Sequence, residues 1–570
     1  MLRRLLPILL MLVPAIAGWA QTGIGVSTAA AELYTAWAEQ AINDGRWPEA
    51  LSILERGGDF ADVSSDISFL LAKARYHENS PSGAVLEALR RSIEANRWTK
   101  YSAAEARLLE AEILIRLRRF TGALTVLSEA PAGADTGRLR LLALKGLSDQ
   151  TEFRRAMAET LDRYPRDPRP VEILFAYAQS KNPEENDPDL ISLALRRLPY
   201  LLEAAPHLAY LAAPFVRDTA EARRLVQGYR ALGNPDPASV PVSLNLGLID
   251  EAQATEELFA QKVLDKDLIL SVWGLLRNRE GRDLFKRNLM GFSGVITEDA
   301  DKDGYPETRT GYRDGVIQEY FGDADQDGLA ELHINFYAGS PSRAEQVIYT
   351  GDSGGVAFAL PETDKERTKV RIDWEQYPAV RRAELAETSY IFRPGEFLYT
   401  PVRFAELTGG GGEPGLLYPE GEQRQMRLTR RSLVSSALQI KRPSREFPEA
   451  DEWIDMEKGI PRRAVEYFHG YTVAETEFVR GQPSIQRLDT DLDLRMETVR
   501  HFKLPGPAAD REAGDDPLSY EKIIEFIESD WDGDGIFETG EQFLPDGSII
   551  YSWDTDGDGI REHSETRQGN

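Results

Sequence analysis

Asp554-Thr-Asp556-Gly-Asp558-Gly559-Ile-Arg-Glu562 sets carboxylates at positions 1, 3, 5 and 9 of a nine-residue loop, with glycine at position 6. A hard divalent cation such as Ca²⁺ takes about six to eight oxygens at roughly 2.3–2.6 Å, and alternate residues of a tight loop can aim them inward. Glycine at position 6 allows the positive φ such a turn needs. The template recurs at Asp299-Asp301-Asp303-Gly304-Glu307, at Asp323-Asp325-Asp327-Gly328-Glu331 and at Asp530-Asp532-Asp534-Gly535-Glu538. A fifth copy, Asp489-Asp491-Asp493-Leu494-Glu497, keeps the four acids and carries leucine at position 6, so it is expected to be the weakest site. Acidic turns that merely suit solvent would not repeat this register five times.

Around each loop the sequence alternates as strands do. The first is followed by Thr308–Tyr312, Asp314-Gly315 and Val316–Phe321, and then the second loop leads into Leu332–Phe336. Near the other end, Thr539–Phe543, Asp546-Gly547 and Ile549–Tyr551 join the last two loops in the same order. Asp-Gly between alternating runs signals a hairpin. Further strand-like runs are Val370–Trp374, Tyr390–Phe392, Phe397–Tyr399 and Val402–Phe404. Trp453–Arg462 reads as a loop copy that has lost its ligands, ahead of a strand at Ala464–Phe468. Gly409–Gly412 and the stretch from Pro505 to Pro517 read as loop excursions.

An EF-hand needs an acid at position 12 and flanking helices. Position 12 is Thr310, Ile334, Arg500, Glu541 and Glu565, acidic in two of five copies. The 1-3-5-9 spacing with a strand behind it is similar to the calcium loops of FG-GAP and related repeats. That resemblance implies several Ca²⁺ ions, four to five, held by the twenty acids named above. It also implies one backbone carbonyl per site, from Tyr305, Leu329, Arg495, Ile536 or Ile560. It covers only the loops and their strands; a 24-residue unit is too short for a propeller blade.

Before residue 291 the chain is Leu-, Ala- and Arg-rich at helical spacing, as in Ala104-Glu-Ala106-Arg-Leu108-Leu109-Glu-Ala111-Glu-Ile113-Leu114. A turn, an aromatic and an alanine three residues on recur at Gly45-Arg-Trp47-Pro-Glu-Ala50, Arg119-Phe120-Thr-Gly-Ala123 and Glu152-Phe153-Arg-Arg-Ala156. In register, these place repeat starts near Ala31, Ser65, Ala104 and Gly137. Such spacing resembles the tetratricopeptide repeat, whose period is about 34 residues. The resemblance implies stacked helical hairpins with a groove for a protein or peptide partner. From 170 to 290 helices continue without the period, as a degenerate extension or a helical cap.

The expected fold is therefore α+β and multidomain. Residues 1–20 form a signal peptide, 21–169 tetratricopeptide-like repeats, 170–290 the degenerate helices, and 291–570 an all-β hairpin meander carrying the loops. The signal-peptide reading rests on Arg3 and Arg4, the apolar run Leu5–Ile16 and a small-residue cleavage site near Ala20–Gln21. It implies export to the periplasm, cell envelope or exterior, with no transmembrane segment in the mature chain. The chain has no cysteine, which excludes disulfides and thiolate chemistry and leaves metal as the available staple. The formal charge is −27, and 20 of the 94 acidic residues lie in the five loops. That sign argues against nucleic acid or anionic lipid as partner.

No catalytic constellation stands out. Gly351-Asp352-Ser353-Gly354-Gly355 matches a serine-protease nucleophile motif but has no histidine in context, and reads as a turn. The six histidines, His77, His207, His333, His469, His501 and His563, stand singly. The tetraglycine lacks the following Lys-Ser/Thr of a phosphate cradle. The sequence thus leads to a non-enzymatic exported scaffold, with a helical groove for a protein partner and a calcium-stabilised β module. The alternative is an envelope carbohydrate-binding protein or polysaccharide-acting enzyme.

Overall fold

Helical spacing is realised from Gly23 onward. The computed structural model describes residues 23–568, apart from 79, 181–184, 234, 350–366, 410–414, 422–427, 505–517 and 519–521. The signal peptide, the Gly351–Gly355 motif, the end of the tetraglycine and the Pro505–Pro517 excursion lie outside the described residues. The chain forms two compact units: 1–316 with 321–330 and 406–418, and 317–320 with 331–405 and 419–570.

In the first unit four helix pairs follow one another: α1 (Gly23–Asn43) with α2 (Trp47–Arg56), α3 (Ser65–His77) with α4 (Ser82–Ala95), α5 (Ala103–Arg116) with α6 (Phe120–Ser128), and α7 (Ala134–Gly146) with α8 (Gln150–Arg163). The alanines expected to let helices approach are buried: Ala50 and Ala123 are fully buried and Ala156 nearly so. Gly146 is small for the same reason, since a Cβ there would meet the Phe120 ring at 2.3 Å. The turns of the first, third and fourth pairs each use a left-handed residue, Gly45, Arg118 and Ser148. Counting from those residues, Phe153 takes the place of Ala50 and Ala123. The aromatic–alanine copy in the fourth pair is thus displaced by one helical turn. Asp66, 1% exposed, accepts backbone N–H bonds from Thr99, Lys100 and Tyr101, fastening the link from α4 to α5.

Beyond residue 168 helices continue from α9 (Arg169–Gln179) to α16 (Arg279–Met290), interrupted by a short strand, β1 (Val263–Asp265). β1 pairs in parallel with β2 (Gly294–Glu298), and β2 pairs antiparallel with β3 (Thr308–Arg313); β4 (Val316–Gly322) follows, and β10 (Arg403–Leu407) and β11 (Leu416–Glu420) come later in the chain.

The second unit is a meander. Strands β5 (Leu332–Tyr337), β6 (Ser340–Tyr349), β7 (Arg367–Gln376), β8 (Ala379–Leu385) and β9 (Thr388–Ile391) pair successively, each with its neighbour in sequence. β9 then pairs with β12 (Gln439–Pro443). The ladder runs on through β13 (Asp451–Glu457), β14 (Ile460–Phe468), β15 (Tyr471–Val479), β16 (Gln482–Leu488), β17 (Thr498–Phe502), β18 (Ile524–Ser529), β19 (Thr539–Phe543), β20 (Ser548–Trp553) and β21 (His563–Gln568). Its apolar core joins residues from both stretches, among them Ile334, Ile372, Tyr390, Ile440 and Ile454, with Tyr399 and Val402 from the connecting segment.

Three expectations are corrected. Trp453–Arg462 is not a degenerate loop: β13 runs to Glu457, Lys458-Gly459 turns with both φ positive, and β14 begins at Ile460. Phe397–Tyr399 is no strand of a ladder, although Phe397 and Tyr399 are buried; the exposed Leu398 makes an isolated bridge to Ala379. The β half also holds a short helix, α17 (Arg430–Ser436), capped reciprocally by Thr429 and Ser432.

Candidate metal centres

Each acidic loop is a turn closed by its own carboxylates. The position-1 aspartate accepts from the backbone N–H of position 6: Gly304 to Asp299 at 2.8 Å, Gly328 to Asp323 at 3.0 Å, Leu494 to Asp489 at 2.8 Å, Gly535 to Asp530 at 2.9 Å and Gly559 to Asp554 at 2.7 Å. The position-5 aspartate accepts from position 7 at 2.8–2.9 Å in all five. The position-9 glutamate reaches back to the N–H of position 2, as Glu307 does to Ala300, Glu497 to Thr490, Glu538 to Trp531 and Glu562 to Thr555. Position 6 has φ between +77° and +96° throughout, Leu494 included. Position 4 is left-handed as well, at Lys302, Gln326, Leu492, Gly533 and Gly557. The sequence marks that second requirement only where glycine stands.

The structure brings the acids of each copy together. One carboxylate oxygen each from Asp323, Asp325, Asp327 and Glu331 lies within 4.8 Å of the others, and the same holds for Asp489, Asp491, Asp493 and Glu497, for Asp530, Asp532, Asp534 and Glu538, and for Asp554, Asp556, Asp558 and Glu562. In the first loop Asp299, Asp301 and Asp303 converge in this way, and Glu307 lies outside the group. Two carboxylates at that separation repel by about 1 kcal/mol in water and by about 3–4 kcal/mol at an effective dielectric near 20. Burial first, and then the neighbouring acids, raise Asp299, Asp303, Glu307 and Asp323 above the usual carboxylate range, Asp303 to about 7.

The copy expected to be weakest is enclosed on one side, with Asp489 and Glu497 buried and Asp491 and Asp493 exposed. Asp489 is fully buried and Glu497 is 9% exposed. Glu497 Oε1 accepts from the N–H and the hydroxyl of Thr490, while Oε2 is buried with no hydrogen-bond partner. A buried carboxylate oxygen without a donor, among three more acids, fits a cation. Consecutive loops are also tied: Asp323 N donates to Glu307 O, Asp530 N to Glu497 O and Asp554 N to Glu538 O, each at 2.8 Å. The last three loops therefore stand side by side along one end of the ladder. Arg495 packs on the fourth loop, where a Cβ on Gly533 would meet its guanidinium at 2.5 Å.

Residues far away in sequence contact the first loop within its own unit. Arg118 Nε lies 3.6 Å from Asp301, Lys145 Nζ donates to the carbonyl of Lys302 at 2.8 Å, and the hydroxyls of Tyr76 and Tyr305 are 2.7 Å apart. No local motif announces these partners, because they belong to three different helical hairpins.

No family model matches the chain. A relative from Treponema pallidum (strain Nichols), described as "Uncharacterized protein", is 22% identical over 82% of this chain and 73% of its own length. Among solved structures, a tetratricopeptide repeat protein from Parabacteroides merdae aligns over 46% of this chain and 99% of its own, at 11% identity and a TM-score of 0.32. The type IV pilus biogenesis factor PilW aligns over 35% and 92%, at 12% identity and 0.29. MamA from Desulfovibrio magneticus RS-1 aligns over 30% and 94%, at 16% identity and 0.26. Among the described residues, no helix is long and apolar enough to cross a membrane.

Proposed function

We propose that the chain is an exported, non-catalytic scaffold, whose helical hairpins receive a protein partner and whose β meander is stiffened by calcium. The observation that carries the metal part is the buried, donorless Oε2 of Glu497 inside a cluster of four acids. The 1-3-5-9 acids would hold the ion, with the position-7 carbonyl beside them. The ion would cancel the mutual repulsion of the acids and fix the turn. Ca²⁺ suits this donor set better than Mg²⁺, which keeps a tight octahedron and several waters. Stacked helical hairpins commonly offer extended surfaces to protein partners, which supports the scaffold reading.

Calorimetric titration of the metal-free full-length chain with CaCl₂, with circular dichroism before and after chelation, tests the metal part. Saturable binding at a majority of the five loops, with a gain in β signal or thermal midpoint, is expected. Silence in both readouts would overturn it. Export is tested separately, by sequencing the N-terminus of the fractionated protein, where Gln21 is expected.

A further inference from the structure

Within the first unit, a cavity of about 340 Å³ lies between the third and fourth helix pairs and the first acidic loop. Its charged lining comprises Arg116 at the end of α5, Arg118 in the turn that follows, Arg138 and Lys145 in α7, and the acids Glu112, Asp301 and Asp303. Arg116 is only 8% exposed, its guanidinium 4.7 Å over the Tyr305 ring, and its Nε–H has no acceptor. The Nε–H of Arg138 is likewise buried and without an acceptor. Each such donor is left costly until something accepts from it. The ion pair beside the cavity does not spend Arg138 on a hydrogen bond, since Arg138 stands 3.7 Å from Glu112. The volume lies within the usual range for a small-molecule site, about 300–1,000 Å³.

We propose that this cavity binds a phosphoryl group, held by the Nε–H donors of Arg116 and Arg138 and by a cation in the first loop. The inference rests on the metal reading of that loop. Without the ion, Asp301 and Asp303 repel an oxyanion; with it, their charge is offset, and Arg116, Arg118, Arg138 and Lys145 outweigh Glu112 around the cavity. The site would combine two arginine donors from different helices with a cation on the loop. That suits the three free oxygens of a phosphate monoester better than the two of a carboxylate.

The test uses the full-length chain, methyl phosphate and acetate as probes, and calorimetry with or without CaCl₂. Saturable binding of methyl phosphate is expected with calcium, weakened at least about tenfold by chelation or by Arg138→Gln and unchanged by Arg119→Gln. Arg138→Gln is the main variant because its side chain is 24% exposed, whereas Arg116→Gln risks the fold. Equal binding of acetate would overturn the phosphoryl assignment. No binding of methyl phosphate up to about 10 mM, while calcium loads a loop that Asp303→Asn empties, would mean that the cavity holds only water and would overturn the inference alone. Failure of calcium to load that loop while it loads the others would overturn the inference and leave the wider metal reading standing; failure at every loop would overturn both, and each outcome shows in the calcium titration itself.

Discussion

Leu494 adopts φ +77°, where its four counterparts are glycines. A left-handed non-glycine residue costs about 1–2 kcal/mol, partly offset because glycine loses about 0.4–1 kcal/mol more chain entropy on folding. Leu494→Gly should therefore raise the calcium affinity of this loop by about two- to fivefold, read by calorimetry against the parent chain. An unchanged affinity would mean that the backbone there is relaxed. Position 6 was legible because glycine marks it. Position 4 was not, since Lys302, Gln326 and Leu492 carry no sign of the φ they adopt. The enclosure of Glu497 was equally hidden, because burial comes from neighbouring strands. Asp303 supplies a pH test. Its folded pKa of about 7 stands above the unfolded carboxylate value. The metal-free loop therefore gains stability at low pH and loses it as the pH rises through about 7. An incoming ion must displace that proton, so first-loop affinity should climb by up to about tenfold per pH unit below 7 and then level off. Calcium titrations across that range check this, and Asp303→Asn should flatten the slope.

Hairpins explain why the strands were easier to find than their joints. Asp314-Gly315 was readable, and both residues have positive φ, as a two-residue turn between right-twisted strands needs. Ala338-Gly339, Lys458-Gly459, His469-Gly470 and Arg480-Gly481 are the same device with less telling first residues. The last three recur every eleven residues, a period that would have exposed β13 to β16 and prevented the misreading at Trp453. A bulge precedes each of these three turns, at Asp455/Met456, Glu466/Tyr467 and Glu477/Phe478. Asp546-Gly547 differs: only the glycine is left-handed, and the turn closes through Leu544 N to Ser548 O at 2.9 Å. Gly470 has φ +88° and open space where a Cβ would go. Gly470→Ala should thus cost only the backbone term, a net of about 1 kcal/mol by denaturant unfolding. Gly315→Ala should cost far more, since its Cβ would lie 1.7 Å from the Met290 carbonyl oxygen.

Across the whole chain, charge and topology act together. Twenty of the 94 acids sit in five short loops, three of them wholly within the second unit, so removing divalent ions should loosen that unit most. Chelation is expected to lower the thermal midpoint followed by β-sheet circular dichroism and to leave the helical signal near its original midpoint; a uniform drop would deny the loops a local role. The α+β division was legible because the hydrophobic period changes near residue 291. The composition of the two compact units was not, because 406–418 joins the first unit through contacts distant in sequence. From β12 onward, every strand is bonded to its immediate successor in the chain, so no pairing waits for a distant segment. Such an arrangement is modular. Excising β18 and β19 with the loop between them would bring β17 and β20 together in the same antiparallel sense, so evolution could lengthen or shorten this half by whole hairpins without redesigning what remains.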